Sequence, residues 1–127
     1  MNRHEIGSWA ESAACQHLKA NGWTIVDRNV RLGCGEIDIV ARRQDVTAFV
    51  EVKSRSSDRF GTPAEAVTNA KKRRILDAAI RYAQQHGILD EKLRFDIVEL
   101  ADGKIRHIEG AFDASGIRFE LAGQDAE

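Results

Sequence analysis

Glu36-Ile37-Asp38-Ile39-Val40-Ala41-Arg42-Arg43-Gln44-Asp45-Val46-Thr47-Ala48-Phe49-Val50-Glu51-Val52-Lys53 is the stretch that decides the fold. Its two apolar runs, 36–42 and 47–53, flank the polar link 43–46, the pattern of two strands joined by a tight turn. With Gln44-Asp45 as a two-residue loop, Arg43 pairs with Val46 and paired positions sum to 89; a four-residue loop keeps the same sum. Asp38 then lies opposite Glu51, and Glu36 opposite Lys53. Side chains alternate faces along a strand, so all four point to one side. Opposed residues have Cβ atoms roughly 4.5–5.5 Å apart, so the carboxylates and the ammonium share one small patch. Facing carboxylates repel, and a divalent cation reverses that sign. Mg²⁺ takes one or two protein carboxylates and keeps several waters. A Glu and a Lys two apart on a strand are ordinarily a solvated face. Here Ala48-Phe49-Val50 is apolar on both faces, as in a strand covered on both sides, and the charged pair leaves that run opposite a second acidic pair.

Outward from the hairpin, residues 5–21 carry Ile6, Ala10, Ala13, Ala14 and Leu18 at helical spacing, and Asn21-Gly22 supplies a stop. Residues 23–30 read as a strand before the turn Gly33-Cys34-Gly35. Residues 54–61 are a polar loop, and Thr62-Pro63-Ala64-Glu65 is a helix start with an N-cap, a first-turn proline and a capping-box acid. Helical spacing continues, with a break near Thr68-Asn69, through Ile75, Leu76, Ala79, Ile80 and Ala83 to His86-Gly87. Residues 93–100 and 105–108 form two last strands around Ala101-Asp102-Gly103. The order αβββαββ predicts an α/β domain over 1–113, with helices packed on a sheet and 114–127 a polar, loosely held tail.

A chain of 127 residues has room for one hydrophobic core. Cys15 and Cys34 are too few for a disulfide framework. The charged start Met1-Asn2-Arg3-His4-Glu5 reads as neither a signal peptide nor a membrane span, so a cytoplasmic protein with reduced thiols is expected. The net charge of −1 conceals segregation: residues 28–81 hold 12 Lys/Arg against 7 Asp/Glu, and residues 109–127 hold five acids against one base. A locally positive face binds phosphates even on a neutral molecule.

Asp38, a twelve-residue spacer and Glu51-Val52-Lys53 resemble the motif of the PD-(D/E)xK nuclease superfamily, which implies a restriction-endonuclease-like mixed sheet flanked by helices. Further stretches resemble one branch of it, the YraN family, whose members are similar to archaeal Holliday-junction resolvases. They are Gly7 with Glu11-Ser12-Ala13-Ala14, Arg28-Asn29-Val30-Arg31, Gly35-Glu36-Ile37-Asp38, Phe49 through Arg55, Gly61-Thr62-Pro63, Lys71 with Arg74-Ile75, and Arg94-Phe95-Asp96. One departure is Ala10, where the family often has Gly before the helix Glu; Ala is the better helix former.

The resemblance implies a divalent-metal nuclease acting on DNA, branched or junction DNA included, with Mg²⁺ or Mn²⁺ as cofactor. Asp38, Glu51 and the Val52 carbonyl would hold the metal. Glu11 matches an acid directed at it, and shares a helix face with Gly7, Ala14 and Leu18; an exposed helix acid is the plainer alternative. Lys53 would orient the attacking water and stabilise charge on the phosphate. Glu36 is placed just outside the metal ligands. A nucleic-acid-binding or repair-accessory module with this fold and little catalysis is the second reading, and a structural subunit the third. No membrane partner is expected, and a homodimer is permitted.

Arg31, Arg55, Lys71, Lys72 and Arg74 are candidate phosphate ligands, giving position and affinity without sequence readout. The run 71–74 is basic around a helix, so a solvated helix face is the alternative for it. Gly33-Cys34-Gly35 lacks the helix and third glycine of a dinucleotide fingerprint. Cys15 and His17 face different ways on a helix, which argues against zinc. His4, His86 and His107 have no partners in sequence. Arg94 and Asp96 share a strand face, where an internal ion pair explains them as well as a site does, and Trp9 and Trp23 are read as core residues rather than base-stacking platforms.

Overall fold

The computed structural model describes residues 2–55 and 67–113. The helix start expected at Thr62–Glu65 and the tail 114–127 lie outside the described residues. α1 (Arg3–Ala20) opens on Asn2, whose side chain accepts the Glu5 N–H at 2.8 Å while a Glu5 carboxylate oxygen accepts the Asn2 N–H. This capping box starts the helix slightly ahead of its apolar spacing. β1 (Thr24–Leu32), β2 (Gly35–Arg43), β3 (Val46–Arg55), α2 (Asn69–Gln85), β4 (Lys92–Ala101) and β5 (Lys104–Phe112) complete the expected αβββαββ order. Thr68, at the expected break, is the N-cap of α2 and accepts the Lys71 N–H at 3.2 Å.

The strands lie in the order β1-β2-β3-β4-β5, antiparallel except for the β3–β4 pair. Parallel neighbours need a crossover, and α2 lies within it. One helix covers each face. Ala48 and Val50 of β3 pack with Ala10, Ala14 and Leu18 of α1, and Phe49 packs with Ala78, Ala79 and Tyr82 of α2. The α/β architecture, a mixed sheet with a helix on either side, is consistent with a restriction-endonuclease-like fold. No helix among the described residues is long and apolar enough to cross a membrane.

The β2–β3 turn is the two-residue form, with Gln44 at a left-handed φ of 55°, and the ladder runs from Arg43↔Val46 to Ile39↔Val50 in the expected register. Strict alternation then fails at Asp38. Ile39 packs on the α1 side and Val40 on the α2 side, yet Ile37 is also on the α2 side. Asn29, bracketed by the pairs Arg28↔Ile39 and Val30↔Ile37, holds a φ of 52°, so β1 and β2 turn over at the same step. The ladder therefore stops at Ile39↔Val50, and neither the expected Asp38↔Glu51 pair nor the Glu36↔Lys53 pair is formed. Glu36 pairs with Arg31 at 2.7 Å, and Lys53 lies beside Glu99 in the parallel ladder.

Asp96 is fully buried and satisfied: Arg94 donates to it at 2.9 and 3.0 Å, His107 Nε2 lies at 2.7 Å, and the Gly110 N–H donates at 2.9 Å. This is the internal ion pair, with His107 added to it. Trp9 departs from expectation. It is 55% exposed whereas Trp23 is 3% exposed, because Ala10, Ala14 and Leu18 form the buried stripe of α1 and Trp9 lies off it.

α2 meets β2 most closely at Gly35, where an added Cβ would fall on the Arg74 carbonyl oxygen and crowd the Ala78 Cβ at 3.0 Å. Gly35→Ala should lower the unfolding free energy by about 1–3 kcal/mol, the usual cost of overpacking, read from the urea midpoint. An unchanged midpoint would show that α2 is free to move off the sheet.

Candidate active site at the open end of the hairpin

Beyond Ile39↔Val50 no further β2–β3 residue pair is formed. The Val52 N–H donates to Asp38 Oδ2 at 2.8 Å, so an aspartate side chain closes the ladder where the strands part. Glu51 is 4% exposed and its carboxylate lies within hydrogen-bonding reach of the Asp38 carboxyl. From the first turns of α2, Lys71 Nζ reaches Glu51 Oε2 at 2.7 Å. Lys53 follows Glu51 on the same face of β3. Lys71 thus touches a site carboxylate directly, a role the sequence did not distinguish from phosphate binding.

Burial, followed by the charge of Glu51, pushes the Asp38 carboxyl up to about 8. The Val52 N–H works against that rise; the Glu51 hydrogen bond and the Glu11 charge add to it. At neutral pH the metal-free pair therefore holds a proton, with the Lys71 ammonium beside it. Burial alone would lower Lys71, but the hydrogen bond and charge of Glu51, with Asp38 and Glu36 beyond, hold it above its ordinary value.

Two facing carboxylates that keep a proton and an ammonium for want of other positive charge suit a hard divalent cation with few protein ligands and several waters. Among the described residues no group of three or more His, Cys, Asp and Glu forms a metal cluster. Glu11 pairs with Arg28 at 3.7 Å and acts on Asp38 through its charge.

The basic residues divide. Lys71 and Arg74 line a cleft of about 290 Å³ with Cys34 and Glu36, and Arg31 holds that Glu36. Lys72 turns to the Phe112 ring at 5.5 Å. Arg55 pairs with Glu99, which is 3% exposed and also lies 3.9 Å from Arg106. Glu99 is an acid beside Lys53 that sequence reasoning missed. Only the parallel β3–β4 register, set across α2, brings it there.

The sequence model of the uncharacterised protein family UPF0102 matches residues 10–100, a span that includes Glu11, Asp38, Glu51, Lys53 and Lys71. The chain is 41% identical over 116 residues to a UPF0102 protein of Myxococcus xanthus, covering 88% of this chain and 92% of that protein. It is 44% identical over 114 residues to a UPF0102 protein of Symbiobacterium thermophilum, covering 86% and 97%. A UPF0102 protein of Clostridioides difficile is 40% identical over 114 residues, covering 88% of this chain and 100% of that protein.

A carboxyl whose folded pKa exceeds its unfolded value binds more protons when folded, so its effect on stability worsens as pH rises between the two values. For Asp38 that window runs from 3.8 to about 8. In EDTA, stability measured by urea denaturation should fall as pH rises through this window. Asp38→Asn, which keeps an acceptor for the Val52 N–H, should flatten the fall and be more stable than wild type at the alkaline end. The same fall in both proteins would assign it to other groups.

Proposed function

The chain belongs to the uncharacterised protein family UPF0102, the YraN family its motifs resemble, and we propose that it is a divalent-metal-dependent nuclease hydrolysing phosphodiester bonds in DNA, branched DNA included. The observation that supports this most is the Asp38–Glu51 pair, two carboxylates held within hydrogen-bonding reach at a buried sheet end with Lys71 on Glu51 and Lys53 two residues further along β3. A soluble domain gains nothing in stability from such a pair; a cation-dependent site needs it. Asp38, Glu51 and the Val52 carbonyl would hold Mg²⁺ or Mn²⁺, which would supply a Lewis acid and lower the pKa of bound water.

The chain's own residues do the rest. The Val52 N–H fixes the Asp38 carboxyl in place. Lys53 orients the attacking water and offsets charge growing on the phosphate. Lys71 exchanges Glu51 for a phosphate oxygen, and Arg74 extends the positive wall of the cleft. The accessory-module reading has one observation in its favour: the Lys71–Glu51 contact and the Asp38 proton already balance the site without metal.

A panel of linear, nicked, flapped and four-way DNA in Mg²⁺ or Mn²⁺ separates the two. Asp38→Asn should abolish cleavage and leave metal-free DNA binding intact or tighter, since a negative charge is lost. Lys53→Ala should also stop turnover, while its metal affinity by calorimetry stays unchanged or improves. Equal trace cleavage by wild type and Asp38→Asn would mark contamination and leave the accessory module standing. DNA affinity should fall steeply with salt, and Lys71→Ala should weaken binding to all sequences alike. Binding indifferent to ionic strength would point away from nucleic acid.

A further inference from the structure

α2 reaches the carboxylate pair through one side chain. Lys71 Nζ lies 2.7 Å from Glu51 Oε2, and the Glu51 side chain is 4% exposed. Among the described residues Lys71 is the ion-pair partner of that buried acid. A buried carboxylate stripped of its partner charge is strongly unfavourable. The ammonium therefore does for the pair what a bound cation would do.

The ammonium can also turn away. Its backbone is fixed, since the Lys71 N–H donates to the Thr68 hydroxyl at the N-cap of α2. Its side chain is 43% exposed and carries the charge on a flexible stem. The same side chain lines the cleft of about 290 Å³ that it shares with Arg74, Cys34 and Glu36. A phosphate entering that cleft competes with Glu51 for the lysine, just as a divalent cation competes with the lysine for Glu51. Two competitions that share one side chain are linked. Whatever draws Lys71 off Glu51 raises the affinity of the pair for a cation, and the reverse holds equally.

We propose that Lys71 is a tethered counter-ion that closes the Asp38–Glu51 pair to metal until a DNA phosphate draws it into the cleft, so that DNA and divalent metal bind with positive coupling. The identity of the two ligands rests on the nuclease reading; the competition for Glu51 does not.

Lys72 supplies the control, being adjacent and of the same charge but turned to the Phe112 ring at 5.5 Å. Mn²⁺ binding to the full-length protein without DNA is read from the paramagnetic resonance of the free ion. Lys71→Met keeps an apolar stem and loses the charge, and should bind Mn²⁺ about fivefold or more tighter than wild type. Lys72→Met should change that affinity far less, and Glu51→Gln should weaken it in wild type and in Lys71→Met. A second arm in EDTA measures affinity for a short DNA duplex by fluorescence anisotropy. Glu51→Gln should raise it about threefold more in wild type, where it releases Lys71, than in Lys71→Met. Equal gains in the two backgrounds overturn the proposal. So does Mn²⁺ affinity that Lys71→Met leaves unchanged, that Lys72→Met raises as much, or that Glu51→Gln does not lower. Failure of both wild type and Lys71→Met to bind Mn²⁺ overturns it as well. Cleavage enters neither arm. A Lys71-dependent response in both arms without cleavage removes the nuclease and keeps the counter-ion, and cleavage without that response does the reverse.

Discussion

The two-residue turn at Gln44-Asp45 admits one register between β2 and β3, and both the core and the candidate site depend on it. A slip of one residue would carry Ala48 and Val50 away from α1 and exchange every side chain between the faces. The register ends one step before Asp38 and Glu51, whose carboxyl groups meet where the strands part. Apolar contact with two helices holds the strands in this alignment, so packing also keeps the two carboxylates together against their repulsion. Val52 fastens the arrangement by giving its N–H to the Asp38 side chain.

That arrangement carries a standing electrostatic load. Burial and the neighbouring charge keep a proton on Asp38, and Lys71 leans across from α2 to meet Glu51. The buried Asp96 shows the contrast. Arg94, His107 and the Gly110 N–H satisfy it, and its carboxyl is held below the usual range despite burial. One acid is resolved within the protein, while the other pair keeps a proton and borrows a surface lysine. The unresolved pair is where chemistry with an external cation has most to gain.

The strand ends explain why so many polar groups gather in one place. The parallel β3–β4 pair finishes both strands at the same edge, and β2 begins there. Asp38 comes from the first residues of β2, and Glu51, Lys53, Arg55 and Glu99 come from the later residues of β3 and β4. α2 adds Lys71 and Arg74 on one face, and α1 adds Trp9 on the other.

By itself the sequence determined the element order and the hairpin register from Arg43↔Val46 to Ile39↔Val50. Those follow from local periodicity and from a turn spanning two residues, and neither needs distant contacts. Only the tertiary structure decided the rest. The reversal at Asn29 and Asp38 took Glu36 from Lys53 to Arg31, because a left-handed residue in β1 turns over its neighbour strand as well. Glu99 reached Lys53 through a parallel register fixed by how α2 packs, at a separation no local pattern encodes. Lys71 and Lys72 are adjacent in sequence, yet one meets Glu51 and the other a phenyl ring, since the docking angle of a helix assigns its faces. Trp9 was left in solvent for the same reason: α1 docks on the sheet through Ala10, Ala14 and Leu18, and Trp9 lies off that stripe.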